Sequence, residues 1–189
     1  LQLYFSPVSY TRAPAGVRPL MNPDPFPGFL MGFNPCKPTS VGNLQICSND
    51  PMLPPKIHSN YLDTDYDKKM MIEGIRLIRR IANAPALNSI IKDELAPGVG
   101  IKSETDIAKY IRQKAWSVFH PCSTCRMGSN PNVSVVDPKL RVHGVDNLRV
   151  VDASIFPTIP TGNINAPSIM VGEYASDIIL KDARNQKGL

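Results

Sequence analysis

Residues 119–128 read FHPCSTCRMG, from Phe119 to Gly128. One histidine, two thiols in a C-x-x-C arrangement and one arginine fall within ten positions. Three chemistries compete for such a stretch: a metal site, a redox dithiol, or half of an active site completed elsewhere. A structural zinc site takes about four ligands, usually as two such pairs. Cys122 and Cys125 make one pair, His120 lies too close to Cys122 to complete the set, and Cys36 and Cys47 are eleven positions apart in expected strands. A thioredoxin-like dithiol opens a helix in a βαβ unit, whereas RMGSNPN runs into turn residues. As thiols the pair therefore reads as small buried side chains packing a loop.

His120 follows the apolar, strand-like WSVF and precedes Pro121. A histidine where a strand ends is either a satisfied structural group or a proton-handling one, and its immediate surroundings leave both open. His58 and His143 have nothing that raises them, and His143, in a VHGV turn, is expected to face solvent.

Downstream, SVVDPKLRVHGVDNLRVVDASIFP reads as short extended pieces joined by turns, and NLRVVDASI is an apolar run of the buried-strand type. NAPSIMVGEYASDIILKDA is a helix: Asn165 fits its N-cap and Pro167 its first turn. Asn163 and Asn165 in PTGNINAP have a capping reading, and a functional one in which an amide and a helix N-terminus face an electron-rich group.

Upstream, LQLYFSPV, GFLMGFNPCKP and SVGNLQICS read as strands and SNDPMLPPKIHSNYL as an ordered loop. DTDYDKKMMIEGIRLIRRIANA predicts a helix with Asp63 or Thr64 as cap and Met71, Ile75, Ile78 and Ala82 as its inner stripe. PALNSIIKDELAPG predicts a second, shorter helix. SETDIAKYIRQKAW predicts a third, with Ser103 and Asp106 as a capping box and Ile107, Tyr110 and Ile111 inward.

Composition narrows the class. At 42% hydrophobic residues the chain builds a core rather than remaining disordered. Its formal charge of +5 is scattered, with RLIRR the one dense cluster, so no nucleic-acid partner is expected. The 19 prolines concentrate early and make that region loop-rich. No apolar run approaches a bilayer span and no secretory signal opens the chain, so the cysteines are expected reduced and the location cytoplasmic, with peripheral membrane contact as an extension. A start at LQLYFSPVSY without methionine suggests a piece of a longer protein.

FHPCSTCRMG, together with VVDPKLRVHGVDNLRVVDASIFPTIPTGNINAPSIMVGEYASDII, resembles the C-terminal signature of the glucose–methanol–choline (GMC) flavoprotein oxidoreductases, nearest their choline-dehydrogenase-like branch. The match is dense from Val118 to Ile179, and YDKKMMIEGIRLIRRIA resembles the helical part of that family's substrate domain. The resemblance implies an α+β fold: an antiparallel sheet packed with helices, plus a C-terminal strand–turn–helix belonging to the FAD-binding domain. It divides the chain into a substrate-binding part at 1–117 and the signature segment at 118–189. It also implies FAD, a small primary alcohol as substrate, and oxidation to the aldehyde. His120 then takes the position of the family's acid–base at the flavin's reactive edge, and Asn163 that of its second histidine or asparagine. Asp152 and Ala153 lie beside the cofactor, and Asn165 and Ala166 at its pyrimidine end.

The family's G-x-G-x-x-G fingerprint is absent from this chain. The N-terminal dinucleotide-binding half that carries it is thus an expected partner. This chain alone is expected to retain little FAD and to be inactive. A hydroxynitrile lyase of the same fold and a non-catalytic module with structural His and Cys are the competing readings.

Overall fold

The computed structural model describes residues 1–11 and 22–186. They cluster into two compact units, Leu1–Pro35 with Asp65–Trp116, and Cys36–Thr64 with Ser117–Leu189.

In the first unit, β1 (Gln2–Ser6) pairs antiparallel with β4 (Leu30–Asn34), setting Leu3 opposite Phe33 and Phe5 opposite Met31. A two-residue ribbon joins β2 (Tyr10–Thr11) to β3 (Asn22–Pro23). Helix α1 (Asp65–Ala82) carries Asp65 and Asp67 in its first turn and Arg79 and Arg80 in its last, the order that complements its dipole. Of the expected inner stripe Ile75 is buried, while Met71, Ile78 and Ala82 are half-buried. Beside Ile75 the helix buries Gly74, because the Phe33 ring occupies the space a Cβ would need.

Helix α2 (Pro85–Asn88) ends sooner than its sequence suggests. Asn88, its last residue, and Ser89 are weak helix formers. Helix α3 (Glu104–Lys114) buries Ile107 and Ile111, with Tyr110 half-buried. Ser103 caps it: its Oγ accepts from the Asp106 amide at 3.1 Å and donates to Asp106 Oδ2 at 2.6 Å. The aspartate thus holds the capping hydroxyl, where the longer glutamate of a full capping box reaches back to the cap's own amide.

In the second unit, β5 (Asn43–Gln45) and β6 (Lys56–His58) form an antiparallel ribbon. β6 falls inside the stretch expected as loop; three residues are too short to display a period. A parallel bridge joins Met127 to Val136, and antiparallel bridges join Val136 to Val142 and Arg141 to Arg149. A 3-10 turn (Ala153–Ile155) and helix α4 (Asn165–Gln186) follow. Val136, Leu140, Ile155, Val171 and Ala175 make the core, with Met127, Val142, Val150, Val151 and Phe156 packed around it. Each large aliphatic side chain so buried contributes about 1.5–3 kcal/mol.

Antiparallel ribbons and helices give the α+β class that the sequence implies. The run NLRVVDASI is less extended than it reads: one bridge at Arg149, then a turn. The Asp152 carboxylate captures the Ser154 amide and bends the chain before a strand can continue.

Candidate active site

Phe119, immediately before His120, is in the left-handed region at φ 59°, and its ring is 77% exposed. Its amide donates to Ser117 Oγ at 2.9 Å, and the same oxygen lies 3.1 Å from the Tyr61 hydroxyl. This turns the chain so that His120 leaves the apolar run half-buried. Among the described residues nothing hydrogen-bonds to the His120 ring, so both ring nitrogens stay available to an incoming group.

The chain after His120 is laced to the 3-10 turn. Ser123 Oγ donates to the Phe156 carbonyl at 2.7 Å, the Cys125 amide to Ser154 O at 3.0 Å and the Met127 amide to Ile155 O at 2.8 Å. The turn itself is set by Asp152, whose Oδ1 accepts from the Ser154 amide at 2.8 Å and from the Ser154 hydroxyl. Ser154 had no assigned role in the sequence reading; the available signal is a serine two positions after an aspartate, the spacing of an Asx turn. Asp152 is exposed and Ala153 half-buried. Ile155, from this turn, packs with Val171 and Ala175 of α4. The stretch after His120, the Asp152–Ala153 turn and the last helix therefore share one core.

Between them, residues 157–164 are irregular, with Pro157 and Pro160 and with Gly162 at φ 112°, a conformation that favours glycine. Asn163 follows, exposed. Asn165 is the first residue of α4 rather than its cap, and Ile164 stands at the cap, its carbonyl accepting from the Ser168 amide at 2.9 Å. The first turn of a helix leaves its amides without intrahelical acceptors, and Pro167 has none to offer. Asn165 and Ala166, both exposed, are thus the two residues that present N–H groups at the positive end of the dipole. Beyond them Ile169, Met170 and Tyr174 are 61%, 56% and 62% exposed, an apolar strip continuing from that end.

Two readings are corrected here. Cys122 and Cys125 are half-buried and free, not sealed into the core. His143 is half-buried, with Nε2 3.0 Å from Gly128 O and 3.2 Å from Ser134 Oγ. Ser134 Oγ has its own carbonyl acceptors at Gly128 and Asn130, so the His143 ring donates to Gly128 and clamps the 128–134 loop. A groove of about 740 Å³, lined by residues including Arg141, His143, Arg149, Ile179 and Asp182, holds none of the six candidate residues.

His120 is half-buried, Asn163 is exposed, and the N-terminus of α4 opens onto exposed apolar side chains. The GMC oxidoreductase family model matches residues 38–172, a span that holds all six candidates, and the chain belongs to that family. It is 42% identical over 154 residues to an oxygen-dependent choline dehydrogenase of Vibrio vulnificus and 44% identical over 154 residues to an alcohol dehydrogenase [acceptor] of Pseudomonas putida. These matches cover 81% and 82% of this chain, but it spans only 28% of either relative's length. A solved FAD-dependent oxidoreductase of Chaetomium thermophilum superposes with a TM-score of 0.75 at 30% identity, over 79% of this chain and 26% of that one.

The residues fit an FAD isoalloxazine edge. Its carbonyls and nitrogens accept hydrogen bonds of the kind the Asn165 and Ala166 amides offer, and its flat apolar body suits a half-apolar face. Among the described residues no helix is long and apolar enough to cross a membrane.

Proposed function

We propose that this chain is the C-terminal part of an FAD-dependent alcohol dehydrogenase or oxidase that converts a small primary alcohol, choline-like in its class, to the aldehyde. When bound, FAD supplies the acceptor for the hydride leaving the alcohol carbon. His120 supplies the acid–base: it accepts the hydroxyl proton as negative charge builds on the oxygen. Asn163 donates a hydrogen bond to that oxygen and fixes the alcohol's orientation. The Asn165–Ala166 end of α4 favours negative charge on the ring edge beside it. Asp152 and Ala153 would lie beside the cofactor when it is bound.

The observation that carries this reading is that one family match, continuous over residues 38–172, includes His120, Asp152, Ala153, Asn163, Asn165 and Ala166 together. We assign the substrate-binding part to 1–117 and the signature segment to 118–189, a division by sequence that the compact units cross at Cys36–Thr64, which clusters with the signature segment. The remaining polypeptide, corresponding to the rest of the relatives' length, supplies the dinucleotide fold.

An anaerobic visible spectrum of the intact parent, before and after choline and a panel of primary alcohols, tests the reading. Bleaching of a flavin band by one of them supports it; a colourless protein, or a flavin that no alcohol bleaches, overturns it. The chain by itself binds FAD weakly or not at all; saturable tight binding in a flavin titration contradicts that part.

A further inference from the structure

We propose that Cys122 and Cys125 form a modification site, a dithiol that hydrogen peroxide closes to an intramolecular disulfide in the segment that carries His120. The alcohol chemistry proposed above leaves these thiols unused. Packing does not account for them either, since the core of their unit contains no cysteine and both remain half-buried and free.

The backbone between them is bent. Ser123 is in the left-handed region at φ 75°, and a turn follows at Thr124 and Cys125. A non-glycine residue holds that conformation only where its surroundings enforce it. Here Ser123 Oγ is bound to Phe156 O at 2.7 Å and the Cys125 amide to Ser154 O at 3.0 Å, both on the same short segment. The turn at Thr124 and Cys125 starts from Ser123 and bends Cys125 back along the chain, and the two thiols, three positions apart, bond at a Cα separation of roughly 4.4–6.8 Å. The Ser123 hydroxyl is also 3.3 Å from Cys122 Sγ, a hydrogen-bond partner beside the sulfur that reacts.

The step balances with one peroxide. One thiol gives up its proton and its thiolate sulfur attacks the O–O bond, giving a sulfenic acid and a hydroxide that takes that proton to become water; the second thiol's sulfur displaces the sulfenic oxygen, which leaves as hydroxide and takes the second thiol's proton to become the second water. Two thiols are oxidised by two electrons, and peroxide is reduced by two. His120 is separated from Cys122 by Pro121 alone, and no hydrogen bond among the described residues holds its ring. Closure of the disulfide therefore shifts the His120 ring.

The test uses this chain with graded peroxide, alkylation of remaining thiols and a tryptic map. Both cysteines fall in the peptide Ala115–Arg126. Alkylatable thiols drop from four to two, that peptide loses two hydrogens, and dithiothreitol restores both. In Cys125→Ser, Cys122 instead proceeds to sulfinic and sulfonic acids that dithiothreitol does not reverse, whereas Cys47→Ser still forms the disulfide. Overoxidation of Cys122 in the unaltered chain, a link from Cys122 to Cys36, or oxidation confined to Cys47 overturns the proposal. The imidazole proton signals of His120 shift on oxidation; signals that stay in place remove the coupling to His120.

Discussion

The Arg79 guanidinium grips both oxygens of the Glu94 carboxylate, Nε to Oε2 at 3.0 Å and Nη2 to Oε1 at 2.8 Å, and donates twice more to backbone. Nη1 reaches Ile101 O at 2.7 Å and Nη2 reaches Gly98 O at 3.0 Å. One side chain of α1 thus fixes the whole 94–101 loop. The pair is 22% and 28% exposed, so solvent screens it only in part. Arg79→Ala should destabilise the chain by about 1–3 kcal/mol in urea unfolding. Arg79→Lys should recover little, because an ammonium cannot reproduce the fork. A lysine variant as stable as the parent sequence would show that charge alone, not geometry, is at work.

Gly74 faces the Phe33 ring so closely that any Cβ must displace it. Gly74→Ala gains helix propensity, about 1 kcal/mol, yet overpacks the contact at a cost of about 1–3 kcal/mol. Net destabilisation is expected, with rescue by Phe33→Leu in a double-mutant cycle. Additive effects in that cycle would rule out the contact as the cause.

Ser103→Ala removes the α3 cap and should cost about 0.5–2 kcal/mol, while Ser103→Thr retains most of it. Thermal unfolding of the three proteins distinguishes them; equal midpoints would mean the cap hydrogen bond contributes nothing.

Asp182 is held below its ordinary value of 3.8, first by the hydrogen bond from Arg149, against an opposing effect of burial, and further by the charges of Lys139, Arg149 and Arg141. A depressed folded value means the carboxylate form stabilises the fold above the unfolded value, and that this contribution disappears as pH falls from 3.8 through the folded value. Asp137 behaves alike: burial raises it, but hydrogen bonds from the Arg141 side chain and the Arg141 and Lys139 amides outweigh that. Melting temperature should therefore drop below pH 4, and Asp182→Asn should flatten the drop while lowering stability at neutral pH. Parallel curves for the two proteins would exclude this pair as a source of acid sensitivity.

Much of this molecule could be read from its residues, for different reasons in different places. Long periodic segments declare themselves: α1, α3 and α4 lie where apolar spacing and Ser103 put them. Short elements do not, and β6, three residues directly after Pro54 and Pro55, carries no pattern. Asp152 changed the outcome for its segment, since one side-chain hydrogen bond to Ser154 turned an apolar run into a 3-10 turn. Gly74 is a packing requirement set by Phe33, which lies 41 positions away in the sequence, so no local pattern shows it. The candidate residues were visible only through a family pattern. His120 alone supports a structural reading, and that no hydrogen bond among the described residues holds its ring is set by the fold rather than by any local pattern.

The most direct test of the central claim is rapid-mixing reduction of the intact parent's flavin by its alcohol, with and without His120→Ala. Loss of about two to four orders of magnitude in the reduction rate, with the flavin still bound, is the predicted result for an acid–base at this position. A rate within a few-fold of the unaltered protein would contradict it and leave His120 a structural residue at the end of a loop.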